Sequence, residues 1–178
     1  MPALLVSGLG GIDAWFQTKA ELTSGELCAA LSPEFTRLFR GLNRKNSPPP
    51  PYESVYLDGG RLFGEPTVKV TELMQKHDLK PVENEPPDHI SLEFDFIRIL
   101  CREESEAWRA GTIGRNILIE EASFLDEHIL RWVPEFCDQV RKFDTSGFYK
   151  AMADITEGWI HYDRTVIKGI LFGKAFGF

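Results

Sequence analysis

Apolar residues recur along this chain at steps of three and four, the spacing of one face of an α-helix. Ile90, Phe94, Ile97, Cys101 and Trp108 fall on such steps or their sums, and Leu92, Phe96, Ile99 and Leu100 widen the stripe. A helix apolar over that much of its circumference belongs at the centre of a core. Val68, Val70, Leu73 and Met74 predict a shorter amphipathic helix ending near His77. Residues 112–131 predict another, carrying Ile113, Ile117, Leu118, Phe124, Ile129 and Leu130. Pro134 should break or kink it near Trp132, with Val133, Phe136, Cys137 and Val140 continuing the pattern. The last helix runs past Tyr149, Met152, Ile155, Trp159, Tyr162, Val166 and Ile170, capped by Thr145 or Ser146. No stretch alternates with period two long enough to propose a sheet, and no segment repeats.

Stops and starts sharpen this outline. Thr23-Ser24-Gly25-Glu26 reads as a capping box ahead of Leu27, Cys28 and Leu31. Ser32-Pro33 predicts an N-cap and a first-turn proline, opening a short helix with Phe35, Leu38 and Phe39. Asn43 to Pro51 is a loop whose four consecutive prolines, Pro48 to Pro51, hold the backbone extended. Residues 81–87 carry three prolines and form a second rigid loop. Pro87 then suits the first turn of the long helix, where Asp88 would cap it and favour its positive dipole end. The fold class is all-α: residues 1–178 as a single helical bundle with two Pro-rich loops.

Composition narrows the function. The 178 residues fit one domain, and 13 Phe, 4 Trp and 4 Tyr supply a sizeable core, which excludes a disordered chain. The net charge of −7 is unevenly spread: Glu83 to Glu127 holds 12 acidic and 4 basic side chains, so the remainder is nearly neutral. Such a segment attracts a basic partner and repels nucleic acid, or is simply a solvated acidic face. Cys28, Cys101 and Cys137 are an odd set without a C-x-x-C, packing as small hydrophobes in a reducing compartment. No apolar run approaches the roughly 18 residues of a membrane span, and MPALLVSGLGG lacks the basic region of a signal peptide. The expectation is a cytoplasmic protein without stable membrane insertion.

Candidate chemistry is sparse. Gly8-Leu9-Gly10-Gly11 after Leu4-Leu5-Val6 departs from a phosphate-binding fingerprint, with Asp13 where the third glycine belongs, and reads as a flexible N-terminal segment. His89 and Glu93 lie one turn apart, and His128 with Asp126 or Glu127, or His161 with Asp163, could complete a metal site. That gives an alternative reading, a small metal-dependent hydrolase using His89, Glu93 and His128. Ser54 is in no G-x-S-x-G and no cysteine sits among cations, so the reading is a non-enzyme with no cofactor. What stands out is Glu85-Pro86-Pro87-Asp88-His89 together with PPPPYESVYL (Pro48 to Leu57). Each couples a proline-fixed loop to carboxylates and a ring, a preorganised acidic docking point for a basic peptide.

At these residues the chain resembles the TorD/DmsD family of redox-enzyme maturation chaperones, which includes the NarJ-like proteins. Glu34-Phe35-Thr36-Arg37-Leu38-Phe39 resembles the family's aromatic-x-x-Leu-Phe helix, and Pro51-Tyr52-Glu53-Ser54-Val55-Tyr56 its P-Y-x-S-x-Y loop. Glu85 to Ile90 resembles its E-P-x-D-H-[IL] signature, and Trp132-Val133-Pro134-Glu135-Phe136 with Phe148-Tyr149 its W-x-P-x-F … F-Y segment. The resemblance implies an all-helical cytoplasmic chaperone without a cofactor. It would bind the twin-arginine signal peptide, or the apo-form, of a molybdopterin oxidoreductase subunit and delay export until its cofactor is inserted. Asp88 and His89 fall on the family's peptide-binding signature, and Tyr52, Ser54 and Tyr56 on the neighbouring loop. Glu85, Asp88 and Glu93 would face the arginines, while Leu57, Phe63 and Phe94 would line a groove for the apolar stretch. The part ahead of Glu34 is shorter than is usual in the family, which leaves a monomer or a homodimer with an exchanged helix as the expected states. A third reading is a helical protein that bridges subunits and has no peptide site.

Overall fold

The computed structural model describes residues 2–40, 45–80 and 82–173. Asn43 and Arg44 of the first loop, Pro81 of the second, and residues 174–178 of the aromatic FGKAFGF end lie outside them. Among the described residues eight α-helices follow one another: α1 Ala3–Gln17, α2 Ser24–Phe39, α3 Glu53–Leu57, α4 Glu65–Lys76, α5 Ile90–Arg109, α6 Arg115–Phe124, α7 Leu130–Phe143 and α8 Phe148–Leu171. A single π-helical turn, Leu125–Ile129, joins α6 to α7. Among the described residues the only strand-like pairing is one antiparallel bridge, Tyr52 with His89, so the fold is all-α as expected. No helix among them is long and apolar enough to cross a membrane. The chain divides into two compact units: residues up to 51 with Val133–Tyr162, and Tyr52–Trp132 with residues from 163 on.

In the first unit the glycine run is helical, and it forms no flexible segment. A Cβ on Gly8 would sit 2.7 Å from the Ile155 backbone nitrogen and 2.8 Å from the Ala151 carbonyl oxygen; one on Gly11 would sit 3.0 Å from the Ala151 Cβ. Gly158 makes the reciprocal approach to the Leu5 backbone. These small residues let α1 lie directly against α8. Trp15 Nε1 donates to the Ser146 carbonyl (3.1 Å), and Trp15, Phe16 and Phe148 pack edge to face.

Helix α2 begins at the predicted capping box, with Thr23 and Glu26 each accepting from the other's backbone N–H. It does not restart at Ser32. Pro33 sits inside it, and Ser32 Oγ donates to the Cys28 carbonyl (2.6 Å), knitting the turn the proline weakens. Ala29, whose carbonyl loses its helical donor to Pro33, is exposed. Because α2 buries only Leu38, Cys28 is exposed, contrary to the small-hydrophobe expectation; Cys101 is half-buried and Cys137 fully buried. Arg37 ties the unit together, pairing with Glu34 and donating to the Phe143 carbonyl (2.6 Å).

The second unit is built round α5. Phe96, Ile97, Ile99 and Leu100 are buried with Val70, Leu118, Phe124, Leu125, Ile129 and Trp132, and the Phe96 and Phe124 rings meet edge to face at 4.8 Å. His77, the C-cap of α4, reaches Glu103 on α5 (3.3 Å) and Glu120 on α6 (3.2 Å). Helix α5 starts at Ile90 with His89 as its N-cap, accepting from Ser91 N, so Pro87 and Asp88 stand outside it. The predicted helix over 112–131 divides at the π turn, and Pro134 lies within an unbroken α7. The widened turn points Leu125, His128 and Ile129 inward while Asp126 and Glu127 stay exposed.

Candidate functional site

The two proline-fixed loops meet in the second unit. Pro51 ends the first loop and Tyr52 is the N-cap of the five-residue α3. A helix start leaves backbone N–H groups unpaired. The second loop fills that need: Glu53 N donates to the Asp88 carbonyl (2.9 Å) and Ser54 N to Asp88 Oδ2 (2.9 Å). Asp88 therefore caps α3, 34 residues away, and does not cap the α5 that follows it. The bridge continues outward: Tyr52 OH donates to Glu85 Oε1 (2.7 Å), and the Tyr52 and His89 rings stack edge to face at 4.9 Å.

Beneath this seam lies a sealed layer of acids. Glu53, Ser54, Asp88 and Glu93 have no exposed surface. His128 Nδ1 donates to Glu53 Oε2 (2.8 Å), and Trp132 Nε1 donates to Glu93 Oε2 (3.0 Å). Burial, and then the Glu53 charge beside it, push the Glu93 carboxyl well above the usual carboxylate range. Glu53 Oε1 and Glu93 Oε1 are both buried and meet no other donor. A carboxyl pushed up in this way holds its proton more readily, which lowers the cost of burying two acids side by side. The Tyr56 ring lies 5.3 Å from that of Trp132 and roofs the layer.

The seven residues picked from sequence thus separate into two roles. Tyr52, Tyr56, Glu85 and His89 are partly exposed and form a rim; Ser54, Asp88 and Glu93 are interior. Of the expected groove residues, Leu57 and Phe94 are half-buried and Phe63 is 72% exposed. Glu53 and Trp132, which complete the interior layer, were within the compared blocks but carried no local signal for burial. His89, Glu93 and His128 do not converge on a metal: each is turned to a different partner, Tyr52, Trp132 and Glu53 in turn. Among the described residues no three His, Cys, Asp or Glu side chains group as metal ligands.

All of these residues fall inside one family match: residues 12–138 fit the family described as the nitrate reductase delta subunit. The chain belongs to the nitrate reductase delta subunit family. The chain is 31% identical over 136 residues to the chaperone protein TorD of Vibrio cholerae serotype O1 (El Tor Inaba), covering 75% of this chain and 60% of that one. It is 29% identical over 142 residues to the TorD of Aliivibrio salmonicida, covering 78% and 65%. The chain thus spans about 60% of the length of the Vibrio cholerae relative. A solved chain from Archaeoglobus fulgidus, provisionally named a redox enzyme maturation protein, aligns with a TM-score of 0.48 and 27% identity, covering 72% of this chain and 65% of that one. The TorD/DmsD, NarJ-like family reached from four short blocks is the family these matches return.

Proposed function

We propose that this protein is a cytoplasmic maturation chaperone, not an enzyme. Its client is the twin-arginine signal peptide or the apo-form of a molybdenum oxidoreductase subunit, held until cofactor insertion and export. The observation that carries the reading is the rim of Tyr52, Tyr56, Glu85 and His89, set in place by two loops that Asp88 locks together. A rim already fixed loses little entropy when a peptide docks. Glu85 spends one carboxylate oxygen on Tyr52 and keeps the other for a cationic side chain. The relatives named as TorD chaperones support the same class of activity.

The test titrates synthetic twin-arginine leaders and a Lys-Lys control, following the fluorescence of the four tryptophans at low and moderate salt. Saturable binding that prefers Arg-Arg and weakens with salt is the expected result. Binding to no leader would overturn the peptide reading and leave recognition to the folded body of a client.

A further inference from the structure

The sealed layer beneath the seam is short of donors. It holds three carboxyls on three separate pieces of backbone: Glu53 on α3, Asp88 in the second loop and Glu93 on α5. Among the described residues each side chain meets one donor. Ser54 N serves Asp88 Oδ2, His128 Nδ1 serves Glu53 Oε2, and Trp132 Nε1 serves Glu93 Oε2. The other oxygens, Asp88 Oδ1, Glu53 Oε1 and Glu93 Oε1, are buried and meet none, and the same holds for the Ser54 hydroxyl. No lysine or arginine pairs with any of the three acids among the described residues. The titratable groups around Glu93 are Glu53 from α3, Asp88 from the loop and, beyond Glu53, His128 from the π turn; α7 contributes the neutral Trp132 indole.

An ionised carboxylate only accepts, whereas a protonated carboxyl brings a donor of its own. Three ionised acids would place three like charges among three donors and no paired cation, with an unmet oxygen on each. One proton supplies a further donor and removes a charge. Glu93 is the group that holds it, since burial and then the Glu53 charge keep its carboxyl well above the usual range. Glu53 and Glu93 sit on different elements, so the repulsion that follows loss of the proton acts between α3 and α5. Helix α3 starts at Tyr52, is capped by Asp88 and carries Tyr56 into the rim. Moving it off α5 parts Tyr52 from Glu85 and His89.

We infer that this layer is a proton latch: with a proton on Glu93 the seam is closed and the rim assembled, and loss of that proton opens the seam and releases what the rim holds. That the rim holds a leader peptide rests on the function proposed above; the latch stands on the interior groups. The π turn belongs to the device, because it delivers His128 to Glu53 and so leaves Glu93 to take the proton. Glu93 binds a proton more readily folded than unfolded. Closure is therefore complete below its unfolded value of 4.5 and lost as pH rises through the higher folded one.

The experiment measures amide hydrogen exchange at Glu53 and Ser54 in the full-length protein from about pH 5 to about pH 9, each rate divided by that of the unfolded amide at the same pH. Glu93→Gln fixes the protonated pattern, its amide oxygen accepting from Trp132 and its NH2 remaining a donor. Protection of the two amides should fall by up to about tenfold per pH unit above the transition in the native chain, and stay level in the variant. Carbon-13 NMR of the side-chain carboxyls needs no variant: Glu93 should titrate in step with the loss of protection. Level protection in the native chain, an equal fall in Glu93→Gln, or a Glu93 carboxyl already ionised at about pH 5 with the seam closed overturns the latch. Twin-arginine leaders titrated over the same range separate the two readings. Affinity should fall in step with protection, and more steeply in the native chain than in the variant. Affinity that ignores the loss of protection overturns the latch's control of the rim. Loss of protection with no leader bound at any pH leaves the latch standing and overturns the peptide reading.

Discussion

Asp88 joins two loops with both its backbone and its side chain, and its neighbour His89 does the opposite, facing outward on Tyr52. Substituting them should separate fold from function. Asp88→Ala leaves the Ser54 N–H buried without an acceptor, at a cost of about 1–3 kcal/mol, read as a lower urea midpoint. His89→Asn, which keeps an acceptor for the Ser91 N–H at the start of α5, should cost less than about 1 kcal/mol by the same measure while weakening leader binding. A second residue-scale expectation concerns acidity. Burial pushes Glu121 up to about 7, and burial with the Glu104 charge pushes Asp163 up to about 6. Both bind protons more readily in the folded chain, so their stabilisation is complete below their unfolded values of 4.5 and 3.8 and is lost as pH rises through 6 and 7. Glu34 has the opposite sign: its hydrogen bond from Arg37 holds it at about 2, so its contribution is present above 4.5 and lost as pH falls toward 2. The melting temperature should therefore rise from about pH 8 to about pH 5 and fall below pH 4, and Glu121→Gln should flatten the upper arm.

At the scale of elements, α1 offers a paired test. Gly8→Ala places a methyl group against the α8 backbone and should destabilise by about 1–3 kcal/mol. Gly10→Ala, with open space around it, should stabilise by about 0.5–1 kcal/mol through helix propensity. Chemical denaturation of the two variants checks both signs. The same pair shows which elements a reader of the sequence can see. Helices α4, α5 and α8 were legible because their own stripes encode which face is buried. Helix α1 was not, because Gly8 and Gly11 read locally as a turn and their purpose lies in Ala151 and Ile155, far along the chain. Asp88 was legible as a cap but not as the cap of a distant helix, since the N–H it serves is 34 residues earlier. The π turn had no local mark either: His128 is drawn inward by Glu53, 75 residues away. Surface site residues such as Tyr52 and His89 came from family blocks, and the burial of Glu93 among them came only with the packing.

For the whole molecule, the two compact units share two helices. The boundary falls inside α7, after Trp132, and inside α8, after Tyr162. Melting either unit by itself would interrupt a continuous helix, so the chain should unfold in one transition. Coincident urea curves from tryptophan fluorescence and far-ultraviolet circular dichroism would bear this out; two separated steps would mean the units fold independently. The thiols differ as sharply as the units are joined. Burial pushes the Cys137 thiol up to about 12, and burial with the Glu121 charge pushes Cys101 higher still, while Cys28 stands open on α2. Alkylating reagents act on the thiolate. The native chain thus carries one ready attachment point for a fluorophore, and with its own tryptophans as donors it becomes an energy-transfer ruler without a single engineered cysteine.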